Sequence, residues 1–217
     1  MIVLAALLVL SYLLGAFPSA VIVGRALRGI DVRQHGSGNA GATNAWRVLG
    51  WRGGLPVAVM DVAKGAAAAA GISRLPLGPV PVDGETVAIL CGLAAVLGHV
   101  FPVYTRFRGG KGVATAGGML IATAPIPVAC TAVVFALALF TSGTVSLGSI
   151  LAAMTIPVSA LLLDRFTTLH YPPLLIGLTV GLALFLVYTH RANLVRLAKG
   201  EERTFRQLQL WRRPRRR

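Results

Sequence analysis

The chain has 217 residues, 55% of them hydrophobic and only 13% charged, with a mean hydropathy of +0.74. A soluble domain is roughly 45–50% apolar with about 25% charged residues, so this composition excludes one unless lipid acts as solvent for the surplus apolar surface. The net charge of +14 does not indicate nucleic acid, because the basic clusters flank apolar spans and no groove-reading face accompanies them; no nucleic-acid partner is expected.

Apolar segments run at about 2–23, 55–72, 86–104, 113–123, 126–141, 147–163 and 173–189. Most approach the ~20 residues that cross a bilayer as helix. The fourth and fifth, separated at Ala124-Pro125-Ile126-Pro127, are either short tilted helices or a hairpin that does not cross fully. The reading is therefore an all-α polytopic bundle of about seven transmembrane helices. Residues 1–200 form one membrane domain, and residues 201–217 form a basic tail. Residues 75–85 (LPLGPVPVDGE) are a turn-rich loop.

Charge sets the orientation. Residues 24–54, 105–112 and 190–217 hold eighteen of the 21 basic residues, with Arg74 and Arg165 on the other side and Lys64 inside a span. Basic residues concentrate in cytoplasmic segments, so the N-terminus is expected outside and the C-terminus in the cytoplasm. The first segment lacks a basic stretch before it, so it reads as a retained helix and not a signal peptide. WRRPRRR at the end is expected to lie on anionic lipid.

Three polar clusters interrupt the apolar pattern, all on the cytoplasmic side of this topology. Gly36–Arg47 (GSGNAGATNAWR) has three glycines that allow positive φ and consecutive N–H groups turned into one concavity. Thr43 or Asn44 is expected to cap the helix that follows, whose N-terminus favours an anion, and Arg47 adds a cationic fork. No Walker GxxxxGK[ST] pattern occurs. The second cluster is Arg106–Gly112 (RFRGGKG), preceded by Gly98-His99-Val100-Phe101-Pro102. Flanking charge explains Arg106 and Arg108 but not three glycines around Lys111, which again describe an oxyanion site. The third is 190–201 (HRANLVRLAKGE). At 100° per residue His190, Asn193, Leu197 and Glu201 share a stripe, suited either to orienting a substrate or to lying on lipid.

Asp61 and Lys64 share a face within the second span, where ionisable groups are costly and face an interior; a structural ion pair or a functional site both fit. Ser142, Thr144, Ser146 and Ser149 bracket the fifth-to-sixth junction, closing helix ends or contacting ligand. Cys91 and Cys130 read as small buried hydrophobes, without metal or disulfide spacing.

Together the clusters resemble the three signature motifs of the bacterial membrane acyl-phosphate:glycerol-3-phosphate 1-acyltransferase family, in order and over nearly the whole chain. SGNxGxTNxxR is met by Ser37, Gly38, Asn39, Gly41, Thr43, Asn44 and Arg47. GGKG is met by Gly109, Gly110, Lys111 and Gly112. HxxNLxRLxxGxE is met by His190, Asn193, Leu194, Arg196, Leu197 and Gly200, with Glu201 taken as its carboxylate. The resemblance implies attack of the 1-hydroxyl of glycerol 3-phosphate on a long-chain acyl phosphate, giving lysophosphatidate and inorganic phosphate in the first acylation step of phospholipid synthesis. It implies a bacterial inner-membrane enzyme without cofactor or metal, drawing its donor from membrane lipid. A monomer is compatible, and the sequence does not set the oligomeric state.

The implied catalytic set is Ser37, Asn193, His190 and Glu201. The substrate-binding set is Gly38, Asn39, Gly41, Thr43, Asn44, Arg47, Gly109, Gly110, Lys111, Gly112, Arg196 and Ser146. No nucleophile–base–acid order is evident, and none of the four histidines has an acidic residue five positions later, which sets aside the soluble-faced acyltransferases. The alternative reading is a transporter of a small phosphorylated anion, weakened by the one-sided clustering and the lack of an inverted repeat.

Overall fold

The computed structural model describes residues 1–205, so most of the basic tail, including the WRRPRRR segment, lies outside the described residues. Those residues are helical with no strand, and they divide into two compact units, residues 1–123 and 124 onward.

The first unit contains α1 (Ile2–Ala16), α2 (Ser19–Arg28), α3 (Ala42–Leu49), α4 (Trp51–Ala66), α5 (Gly84–Val100) and α6 (Val113–Thr123). The first apolar segment is not one helix: it breaks at Phe17-Pro18, since Pro18 has no N–H to donate to the preceding turn. Both halves still lie within one apolar stretch, Ile2–Arg28, long enough to span. Gly29, at φ 67, ends α2 in the left-handed conformation, with its N–H on the Arg25 carbonyl. Helix α4 continues into a π turn at Ala67–Gly71. The Asp83 carboxylate caps α5 by accepting from the Thr86 N–H at 2.9 Å.

Small residues let the backbones approach. A Cβ on Gly118 would strike the Val62 carbonyl, and one on Gly65 the Thr115 carbonyl, so α4 and α6 pack with almost no side chain between them. Helix α1 packs against α5, with Leu7, Val87 and Cys91 at the centre of the contact.

The second unit contains α7 (Pro125–Ser142), α8 (Val145–Phe166), α9 (Pro173–Thr189) and α10 (Arg191–Ala198). Proline at the first position of α7 and of α9 costs no intrahelical bond. Helix α8 packs between α7 and α9. Chain direction changes by 60° between α9 and α10. Cys130 is exposed, not buried as the composition suggested; on a helix turned to lipid an apolar residue gains nothing by facing inward.

Among the described residues five stretches are long and apolar enough to cross a membrane, and a sixth if α9 and α10 count as one bent span. Helix α6 is apolar but has only 11 residues.

Candidate functional site

The first glycine-rich segment is shaped by Asn44. Its side chain is 1% exposed. Oδ1 accepts from the Ser37 N–H at 2.7 Å and the Ser37 hydroxyl at 3.1 Å, while Nδ2 donates to the carbonyls of Val32 at 2.8 Å and His35 at 3.1 Å. The amide's bonding capacity is thereby used inside the protein. Neither Thr43 nor Asn44 caps α3, as the sequence suggested: the cap position is Gly41, without a side-chain bond. The reason is that Asn44 lies inside the helix and reaches back to hold the loop. Gly36 and Gly38 take positive φ, at 62° and 74°, and a Cβ on Gly36 would strike Asn44 Oδ1. Gly41, at φ −131, is extended. Ser37 and Gly38 are exposed, while Asn39, Thr43 and Arg47 are half-buried.

The second segment is built on His99, at the end of α5. The Gly110 N–H donates to the His99 carbonyl at 3.1 Å, and a Cβ at Gly110 would strike the imidazole. A Cβ on Gly109 would strike the His99 and Val100 carbonyls. Gly112, at φ 88, turns the chain into α6, and Lys111 between them is half-buried.

His99 belongs to a buried cluster. Asp61 Oδ1 lies 2.9 Å from Lys64 Nζ, 3.5 Å from His99 Nδ1 and 2.9 Å from the Ser19 hydroxyl, which donates to it. Lys64 Nζ also donates at 3.2 Å to the Phe17 carbonyl, which lies at the break before Pro18 and accepts from the Ser19 N–H as well. A small cavity of about 10 Å³ beside these groups is lined also by Ala40, Gly109 and Gly110. The first two motifs therefore meet at one buried charge cluster. Sequence reasoning found the Asp61–Lys64 pair but not Ser19 or His99 as its partners. The histidine in Gly98-His99-Val100-Phe101-Pro102 was the available signal.

In the second unit a carboxylate gathers the third motif. Glu202 Oε1 accepts from Asn193 Nδ2 at 2.7 Å and the Ser146 hydroxyl at 3.0 Å, and Oε2 from Arg196 Nε at 2.7 Å. Burial pushes the Glu202 carboxyl up, but the bonds from Asn193, Arg196 and Ser146 outweigh it and hold it below the usual glutamate range. Ser146 and Asn193 are buried. The Phe205 N–H donates to the Gly143 carbonyl at 2.7 Å, fastening the segment after α10 to the α7–α8 junction.

The expected carboxylate, Glu201, is exposed and does not join this group. Helix α10 stops at Ala198 and Gly200 turns left-handed at φ 70, so helical spacing no longer applies beyond it. The motif spacing itself, with one residue between glycine and glutamate, also falls on Glu202. His190 is 3% exposed, and its Nδ1 lies 2.8 Å from the Leu186 carbonyl. A carbonyl only accepts, so Nδ1 carries a proton and donates to it, which fixes the orientation of the ring. Of the hydroxyls bracketing α7 and α8, Ser142 and Ser149 bond to helix carbonyls, whereas Ser146 turns to Glu202.

Among the described residues no group of three or more His, Cys, Asp or Glu side chains is arranged to hold a metal.

The sequence profile of the family described as glycerol-3-phosphate acyltransferase matches residues 5–200. Glycerol-3-phosphate acyltransferase of Chlorobium phaeobacteroides is 42% identical over 228 aligned positions, covering 93% of this chain and 96% of the relative. The enzyme of the same name from Chlorobaculum tepidum is 44% identical at the same coverage. Two crystal structures of PlsY (YgiH), an integral membrane glycerol 3-phosphate acyltransferase, superpose over 93% of this chain and 95% of theirs at 33% identity. The glycerol 3-phosphate form gives a TM-score of 0.79 and the lysophosphatidic acid form 0.77. By near-full-length match in sequence and in fold, this chain belongs to the glycerol-3-phosphate acyltransferase family.

Proposed function

We propose that this protein acylates the 1-hydroxyl of glycerol 3-phosphate with a long-chain acyl phosphate, at the cytoplasmic face of a bacterial inner membrane. The family match over residues 5–200 carries the reading, and it leaves the transporter alternative without support. Residues 1–200 constitute the acyltransferase domain.

In the reaction, the glycerol hydroxyl oxygen bonds to the acyl carbonyl carbon, the bond from that carbon to the phosphate oxygen breaks, and inorganic phosphate leaves. The donor is a mixed anhydride, already activated, so no covalent acyl-enzyme is required. Arg47 and Lys111 hold phosphate groups. Ser37, Asn39, Thr43 and the N–H groups of Gly41 and Gly112 complete the cradles, while the N–H groups of Gly38 and Gly110 donate to the His35 and His99 carbonyls and hold the loops in shape. Asn44 keeps the first cradle in shape. Asn193 and Arg196 orient the substrate, with Glu202 and Ser146 fixing them, and electrostatic stabilisation is the main catalytic contribution. The hydroxyl proton passes to His190 Nε2 or to a phosphate oxygen of the substrate.

The test is purified protein in phosphatidylcholine liposomes, given palmitoyl phosphate and radiolabelled glycerol 3-phosphate, with palmitoyl-CoA as the control donor. Lysophosphatidate is expected from the acyl phosphate alone. Lys111→Ala and Asn193→Ala should each lower turnover about 100-fold or more, the scale of a lost oxyanion donor. No product, or uptake of label into sealed vesicles without acylation, sinks the proposal.

A further inference from the structure

The turn between α5 and the GGKG segment has a conformation that acyl transfer does not use. After the short helical turn Val103–Thr105 the chain places Arg106 and Phe107 consecutively at φ 53 and 59. These are the only non-glycine residues with positive φ among the described residues. A residue with a Cβ is disfavoured in the left-handed region, and such strain persists only where the surroundings impose it. Here they do. The Phe107 N–H donates to the Pro102 carbonyl at 2.9 Å and the Arg108 N–H to the Thr105 carbonyl at 3.2 Å. The buried Thr105 hydroxyl donates to the Arg108 carbonyl at 3.1 Å.

The result is convergence. Arg106, Arg108, Arg33 and Asp31 line one cleft of about 590 Å³. Arg33 forks onto the Asp31 carboxylate, at 2.7 Å from Nη2, and reaches the Thr105 carbonyl with Nη1 at 3.4 Å. The Arg33 side chain holds the Asp31 carboxyl below the usual aspartate range. The side chains of Arg106 and Arg108 have no hydrogen-bond or ion-pair partner among the described residues, and both are exposed. Three guanidinium groups against one carboxylate leave two positive charges, the complement of a phosphate dianion. The volume is that of a small-ligand site. Orientation of the protein in the membrane accounts for basic residues here, but not for two left-handed residues in the turn that brings them to the cleft of Arg33.

We propose that this cleft binds the phosphate group of an anionic molecule, a lipid headgroup or a water-soluble phosphate ester, at a position separate from those assigned to Arg47 and Lys111. Gly38 and Gly109 also line the cleft, so its occupant touches one glycine of each loop and holds both loops in their acceptor shape.

Two probes distinguish the sources. Inorganic phosphate binding is followed by phosphorus NMR line broadening in neutral detergent, and phosphatidylglycerol binding by native mass spectrometry from mixed micelles. The Arg106→Gln/Arg108→Gln double variant should lose about tenfold or more in affinity for one probe, while Lys111→Ala retains that binding. The probe that is lost names the source. The Arg106→Lys/Arg108→Lys variant should fall between the two, a ranking that a mere folding defect does not produce. The proposal is overturned if the Gln variant binds both probes as the parent does. It is also overturned if Lys111→Ala alone removes the same binding, which would merge the cleft with the substrate site. Loss of acylation in Lys111→Ala with cleft binding intact keeps the two readings separately testable.

Discussion

At Gly110 a single missing methyl group ties the GGKG loop to the buried cluster. Adding it in Gly110→Ala drives a Cβ into the His99 ring, so the loop or the ring must move. We expect acylation to fall about 100-fold, since a small misplacement of a positioning group has that effect, with the unfolding midpoint shifted by only a few degrees; turnover and thermal unfolding in detergent check both. Asp61 is the opposite case, a stability position. Asp61→Asn leaves Lys64 buried without its counter-charge, at a cost of about 3–5 kcal/mol. Asp61→Asn/Lys64→Met should recover most of that loss, measured by thermal unfolding of the same preparations. Glu202 adds a pH dependence. Its folded carboxyl titrates below the usual range, so its contribution is complete above the unfolded value of roughly 4.3 and is lost as pH falls through the folded one. Wild-type stability should therefore decline at acid pH. Glu202→Gln should be less stable at neutral pH by about 2 kcal/mol, the scale of hydrogen bonds to a charged group, and should lose part of that acid-side decline.

Among elements, hydropathy located the helices better than it located their breaks. The segments at 86–104, 126–141 and 173–189 correspond to α5, α7 and α9 within a few residues, because apolar length and flanking turn residues are local properties. The break at Phe17-Pro18 lies inside an uninterrupted apolar run, where hydropathy carries no signal. The end of α10 was equally hidden, because residues 190–201 read as one continuous stripe. In the structure the helix begins after the bend at His190 and ends before Gly200, which is why Glu202 and not Glu201 reaches Asn193. The α4–α6 contact is read by Gly118, and Gly118→Leu should lower the unfolding midpoint strongly by forcing the two backbones apart, whereas Gly117→Leu, where a Cβ meets open space, should not.

For the molecule in its membrane, charge and length together make a sharp demand. Helix α7 is long enough to cross by itself, so the basic C-terminal region shares a side with residues 105–112 only if the 11-residue α6 completes a crossing too. On that proposal a cysteine at Arg203, in a cysteine-free background, is labelled by an impermeant maleimide only after cells are opened, and one at Gly78 is labelled in intact cells. The reverse pattern at Arg203 would remove α6 from the count of spans.

The sequence alone determined that lipid is the solvent, which segments are helical, and where the three motifs that resemble the family's lie, because composition and spacing act over short range and need no fold. It did not determine which groups those clusters use to hold themselves. Asp61 finds Ser19 and His99, Glu202 finds Ser146, and Thr105 finds Arg33 only when helices far apart in the chain are packed together. A hydrogen bond depends on ångström-scale separation and direction, which tertiary packing sets and residue order does not.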